Sequence, residues 1–178
     1  MRTLIIYESQ AGSTKRYAED IARAVGGDVL PLKKFKEKMI KNYDTLVFGG
    51  WVRGSKIVGA DDFLASYDAM NGKNVILFAV GMSIANAESR KNLISANILD
   101  LYHVRFYQFQ GGFDFNKLNF KNKFLFNTAI RQIENDPNAT PDMKMVSYVK
   151  DHPVEYYDQA KVDRVVSVIN SLSLENVQ

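Results

Sequence analysis

One stretch limits this chain more than any other: a short apolar strand that runs into a small hydroxyl-rich turn and then an amphipathic helix. Met1 to Tyr7 is apolar and β-branched, the pattern of a buried strand. Glu8-Ser9-Gln10-Ala11-Gly12-Ser13-Thr14 follows as a polar loop with a single glycine. Thr14, Ala18, Ile21, Ala22 and Val25 then fall at helical spacing, and Gly26-Gly27 ends the helix. A helix that begins this way leaves its first N–H groups unsatisfied and adds partial positive charge at the turn, which makes an anion site. Ser9, Ser13 and Thr14 add hydroxyls suited to phosphate oxygens, so neutral donors can hold the anion without a lysine or a metal. The turn lacks both the Gly-x-x-x-x-Gly-Lys of a P-loop and the Gly-x-Gly-x-x-Gly of a dinucleotide fold.

The same string, Ile5-Ile6-Tyr7 with Ser9, Gly12, Thr14, Ala18 and Ile21, resembles the flavodoxin signature at each of its defined positions. That resemblance implies a site for the phosphate of flavin mononucleotide (FMN), held by Ser9, Gln10, Ala11, Gly12, Ser13 and Thr14.

Buried-strand patterns recur at Tyr43 to Gly50 and at Lys73 to Val80, with a shorter one at Asp28 to Leu32 and a mixed one at Val104 to Gln110. Helical patterns separate them. One is marked by Phe63, Leu64, Tyr67 and Met70, and one spans Ala87 to Leu101 with Leu93, Ile94, Ile98 and Leu101 facing inward. The last begins near Asp151-His152-Pro153 and carries Val162, Val165, Val166, Ile169 and Leu172. Alternating strands and helices predict an α/β fold, a doubly wound five-stranded parallel sheet of order 2-1-3-4-5. The 178 residues fit one domain, with an insertion at about 111–150 after the last strand.

Ligands in such a fold sit at the carboxyl ends of the strands, so the loops after residues 7, 50 and 80 become the candidates. The second loop, Gly50, Trp51, Val52, Arg53 and Gly54, holds the only tryptophan, whose indole can stack on a flat ring. Arg53 brings positive charge that favours a reduced, anionic ring. The third, Gly81, Met82 and Ser83, offers backbone groups to a ring edge. It lacks the aromatic that flavodoxins often place there, which leaves the ring open to a second planar substrate and favours an oxidoreductase over a shuttle.

The chain has no cysteine and two histidines, His103 and His152, which excludes disulfides and thiol catalysis and disfavours a metal centre. No catalytic acid or base is nominated. A net charge of +3 is too mild to argue for nucleic acid, and it departs from the acidic surface typical of flavodoxins. With no leader or membrane-length apolar run, a cytoplasmic location is expected.

The insertion interleaves phenylalanine and lysine from Phe113 to Phe126, and Leu125, Phe126, Ala129, Ile130 and Ile133 predict a helix. It reads as an interfacial membrane anchor at the inner face of a membrane, a lid over a hydrophobic substrate, an oligomer contact or an extra packed helix. With this insertion, the chain resembles the flavodoxin-domain group that includes the menaquinone-dependent protoporphyrinogen oxidases. That resemblance implies electrons passing from a porphyrinogen through flavin to a quinone in haem biosynthesis. The expectation is thus an FMN-binding redox protein with a redox partner or a quinone- or porphyrinogen-like substrate. The contrasting reading is a flavin-free interaction domain on the same fold.

Overall fold

A computed structural model describes residues 1–82, 85–139 and 147–175 of the chain. Five strands form the parallel sheet: β1 (Thr3–Glu8), β2 (Asp28–Pro31), β3 (Thr45–Arg53), β5 (Asn74–Gly81) and β6 (Arg105–Gln110). Their order is β2-β1-β3-β5-β6, and a two-residue strand β4 (Lys56–Ile57) pairs antiparallel with the end of β3. Leaving that hairpin aside, the parallel strands follow the expected order 2-1-3-4-5. Chain direction across the sheet reverses between β1 and β3, whose register runs from Thr3 opposite Thr45 to Glu8 opposite Gly50.

The apolar runs are continuous because helices cover both faces of the sheet. On one face, Ile5, Val47, Ile76, Phe78, Val80 and Phe109 pack against α1 (Ser13–Val25) and α5 (Gln159–Glu175). Those helices contribute Tyr17, Ala18 and Ile21, and Val162, Val165, Ile169 and Leu172. On the other face, Leu4, Ile6, Leu46, Phe48, Leu77 and Phe106 pack under α2 (Ala60–Leu64), α3 (Ala87–Ala96) and the short helical turns around them. Phe48 stacks on Phe63 with ring centroids 5.0 Å apart.

Three boundaries differ from the sequence expectation, each for a local reason. α3 stops at Ala96, and Ile98 takes a left-handed backbone (φ 55). That break rotates the next turn, so Leu99 is buried while Ile98 and Leu101, expected inside, face solvent. The helix expected from Phe63 to Met70 is a single α-turn followed by a 3-10 turn, Tyr67–Met70. The last helix begins at Gln159, not near Asp151. Residues 147–151 form their own helical segment, and Val154 leaves it extended to exchange backbone hydrogen bonds with Phe113 at 2.7 and 2.8 Å. The insertion contributes α4 (Phe120–Glu134), capped by the Asn119 side chain accepting from the Asn122 N–H at 2.9 Å.

Candidate functional site

A cavity of about 350 Å³ opens at the carboxyl ends of β1, β3, β5 and β6, within the ~300–1,000 Å³ usual for small-molecule sites. Its floor is the turn between β1 and α1. Gly12 is the N-cap of α1, with φ 100, a backbone that side-chain-bearing residues seldom adopt. It supplies no capping side chain, so the first N–H groups of α1 remain open to an anion at the positive end of the helix. The Ser9 hydroxyl oxygen accepts from the Gly12 N–H at 3.2 Å, which leaves its own proton free to point outward. The Ser13 hydroxyl donates to the Gly112 carbonyl at 3.3 Å, so what Ser13 offers an anion in this arrangement is chiefly its backbone N–H. Thr14 is buried and lines the cavity.

One wall is the end of β3. Trp51 to Arg53, read from sequence as loop, continues the strand and folds back through Gly54-Ser55 onto β4. The reversal has a glycine with φ 61 at its first central position, where a tight hairpin needs one. The Arg53 guanidinium lies 5.8 Å from the Trp51 ring centroid. The hairpin is clamped from beneath by Asn97, which is 3 % exposed. Its side-chain oxygen accepts from the Ile57 N–H at 2.9 Å, and its amide donates to the carbonyls of Ser55 at 2.9 Å and Leu93 at 2.8 Å.

Of the residues singled out in the sequence, Ser9, Gln10, Ala11, Ser13, Thr14, Trp51, Val52, Arg53, Gly54, Gly81 and Met82 converge on this one space. Gly12 faces a neighbouring cleft of about 230 Å³ with Arg16, Tyr17 and Lys117. Gly50 is not at the surface of the cavity. A Cβ there would meet Ile57 Cγ2 at 2.6 Å, so this glycine lets the hairpin close over β3. Ser83 lies outside the described residues.

The remaining walls come from residues that sequence reasoning did not assign to the site. Gly111, Gly112 and Phe113 follow β6, and Leu118, Asn122, Leu125, Phe126 and Ala129 bring the insertion over the cavity as a roof. Two signals were present: the paired glycines Gly111-Gly112 directly after a strand pattern, and a helical spacing across 118, 122, 125, 126 and 129. A Cβ on Gly111 would meet Val80 Cγ1 at 2.5 Å and Ser13 Cβ at 3.1 Å, so the lack of a side chain lets the end of β6 press against the β1–α1 turn. The buried Tyr17 hydroxyl fixes this junction. It donates to the Gln110 carbonyl and accepts from the Asp158 N–H, each at 2.8 Å. Burial pushes its pKa up, so it stays protonated. Burial also raises the Glu8 carboxyl at the end of β1, with Lys33 opposing and Asp62 adding to the shift.

The arrangement combines an anion-receptive helix start, an aromatic and a cation on one wall, and an apolar roof. It fits a ligand with a phosphate at one end and a flat ring at the other. The family model described as Flavodoxin domain matches residues 4–140, more than three quarters of the chain. No curated protein matches it. Solved structures similar to it include a flavodoxin from the domain Archaea (16% identity over 62% of this chain and 83% of that one, TM-score 0.47). Another is the two-electron reduced flavodoxin of Megasphaera elsdenii (17% identity, 61% and 83% covered, TM-score 0.46). A third is an oxidised flavodoxin from Bacillus cereus (18% identity, 62% and 86% covered, TM-score 0.40).

Proposed function

The chain belongs to the flavodoxin domain family, and from that premise we propose that it binds FMN in the cavity under α4 and works as a flavin-dependent oxidoreductase. One observation carries this reading: the open first turn of α1, the Trp51–Gly54 hairpin and Gly81-Met82 face a single space large enough for a small molecule. The residues present fit the cofactor. The N–H groups of the first turn of α1 and the hydroxyls of Ser9 and Thr14 would hold the phosphate, with Gln10 and Ala11 beside it. Trp51, Val52, Arg53 and Gly54 would flank the ring on one side, and Gly81 and Met82 on the other. When bound, FMN supplies reversible acceptance and release of one or two electrons. The chain's own residues position the ring, exclude water beneath α4, and set positive charge from Arg53 near it.

An enzyme is favoured over a simple shuttle because the roof is apolar. Leu118, Leu125, Phe126 and Ala129 make a ceiling suited to a second, hydrophobic reactant, where a shuttle needs only an exposed ring edge. A quinone acceptor with a porphyrinogen donor is the specific pairing proposed. The reading is tested by titrating purified protein with FMN, then following anaerobic oxidation of protoporphyrinogen with a menaquinone analogue as acceptor. Bound FMN with turnover supports the full reading. Bound FMN without turnover removes this substrate pair but keeps the flavoprotein. No FMN binding removes both.

A further inference from the structure

We propose that the outer face of α4 docks on an anionic lipid bilayer, through Phe120 and Phe124 flanked by Lys121 and Lys123. This inference concerns the opposite face of the helix from the cavity and stands whatever ligand the cavity takes. The inward face of α4 is accounted for: Asn122, Leu125, Phe126 and Ala129 line the cavity. Residues four apart share a face, and on the outward side Phe120 is 89 % exposed and Phe124 66 % exposed. Two phenylalanine rings left bare on adjacent turns of one helix are costly in water, since each loses the full benefit of burial. They are not isolated cases. Every exposed phenylalanine or tyrosine among the described residues, namely Phe120, Phe124, Tyr148 and Tyr156, lies in the chain between β6 and α5.

Charge identifies the occupant. From Phe115 to Arg131 the chain carries Lys117, Lys121, Lys123 and Arg131 and no acidic residue. Among the described residues no ion pair includes Lys121 or Lys123; Lys117 alone pairs, with Asp114 at 3.7 Å. On the helix Lys121 and Lys123 flank the Phe120–Phe124 line: Lys121 is exposed, while Lys123 is half-buried with its ammonium 5.7 Å from the Phe115 ring centroid and swings off that ring to reach a lipid head group as Phe120 and Phe124 enter the acyl boundary. A second copy of this chain fits the face poorly, because two-fold contact would set the same lysines against each other. An anionic surface answers both features at once, rings by burial and lysines by attraction worth about fivefold in affinity each. Docked in this way, the roof of the cavity would become the layer in contact with the membrane.

The test is co-sedimentation of the whole protein with vesicles of phosphatidylcholine alone and of phosphatidylcholine mixed with phosphatidylglycerol. The expected result is binding to the anionic vesicles only, released by salt. Phe120→Ser with Phe124→Ser should weaken it at least about a hundredfold, since each ring contributes about tenfold or more on burial. Lys121→Gln with Lys123→Gln should weaken it about 25-fold. All four side chains are off the cavity lining, so circular dichroism and ligand titration of the variants should match the wild type. Absence of binding to anionic vesicles overturns the proposal. So does equal binding to both vesicle types, or binding that survives both double substitutions. A protein that sediments as a dimer without lipid, and becomes a monomer on Phe120→Ser with Phe124→Ser, also overturns it by showing that a second copy takes the face.

Discussion

The Ser13 hydroxyl donates to the carbonyl oxygen of Gly112 at 3.3 Å, across 99 positions of sequence. The bond joins the turn that opens the chain to the point where the insertion leaves the sheet, so the anion-receptive end of the cavity and its roof share one anchor. The approach is possible because Gly111 has no side chain. Gly111→Ala would place a methyl 2.5 Å from Val80 Cγ1 and 3.1 Å from Ser13 Cβ. Overpacking of this kind costs about 1–3 kcal/mol. The variant should unfold at lower denaturant by that amount and lose at least about tenfold in FMN affinity, read by denaturation and flavin titration. Unchanged affinity would show that the β6 end does not shape the site.

Asn97→Ala removes the clamp beneath the Trp51–Gly54 hairpin. It strands the buried Ile57 N–H and the Ser55 carbonyl and should cost about 1–3 kcal/mol, the usual penalty for unpaired buried groups. Because Asn97 does not line the cavity, any added loss of FMN affinity reports loosening of the hairpin. Asn97→Asp keeps an acceptor for Ile57 but sets a buried carboxylate against the Ser55 and Leu93 carbonyls, and should cost at least as much as Asn97→Ala. The measurement is hydrogen exchange at the hairpin alongside the flavin titration.

Ala129 lies on the roof and is exposed toward the cavity opening. Ala129→Trp should fill the space beneath α4 without touching the β1–α1 turn. Ring binding should fall by at least about a hundredfold, roughly 2.7 kcal/mol, with the far-ultraviolet circular dichroism unchanged. Normal FMN affinity in this variant would place the ring elsewhere than under α4.

Burial raises the Glu8 carboxyl in the folded protein. The folded state therefore binds this proton more tightly than the unfolded chain, and stability falls as pH rises from the ordinary value of 4.5 through the raised one. Glu8→Gln should remove that decline. The variant should be more stable than wild type at neutral pH and lose its advantage in acid, as measured by thermal unfolding across pH. A wild type whose stability rises through this window relative to Glu8→Gln would reverse the assignment.

Much of this organisation was legible in the residues themselves. Strand β1, the turn from Ser9 to Thr14 and helix α1 follow from local pattern, because a buried run and an amphipathic helix are set by period alone. The order of the parallel strands follows from their alternation with helices. What did not show was set by contacts distant in sequence. Trp51 to Arg53 are strand because β4 folds back on them, and two residues are too few to announce a strand. Ile98 ends α3's register through one left-handed residue, which no apolar spacing reveals. Asp151-His152-Pro153 reads as a helix start, but Asp151 ends the short helical segment 147–151, and the Phe113–Val154 bridge holds the chain after it extended and delays α5 to Gln159. The roof was visible as a helix with an apolar face, and a lid over a site was one of four readings of it; local pattern alone does not say which surface such a face covers.

The anion grip at the start of α1 is the centre of the proposed site, and comparing FMN with riboflavin, which lacks the phosphate, probes that grip most directly. Titrated into the purified protein under the same conditions and followed by quenching of flavin fluorescence, FMN should bind at least about a hundredfold more tightly than riboflavin, a difference of roughly 2.7 kcal/mol carried by the phosphate. Equal affinity for the two, or binding of neither, would contradict it.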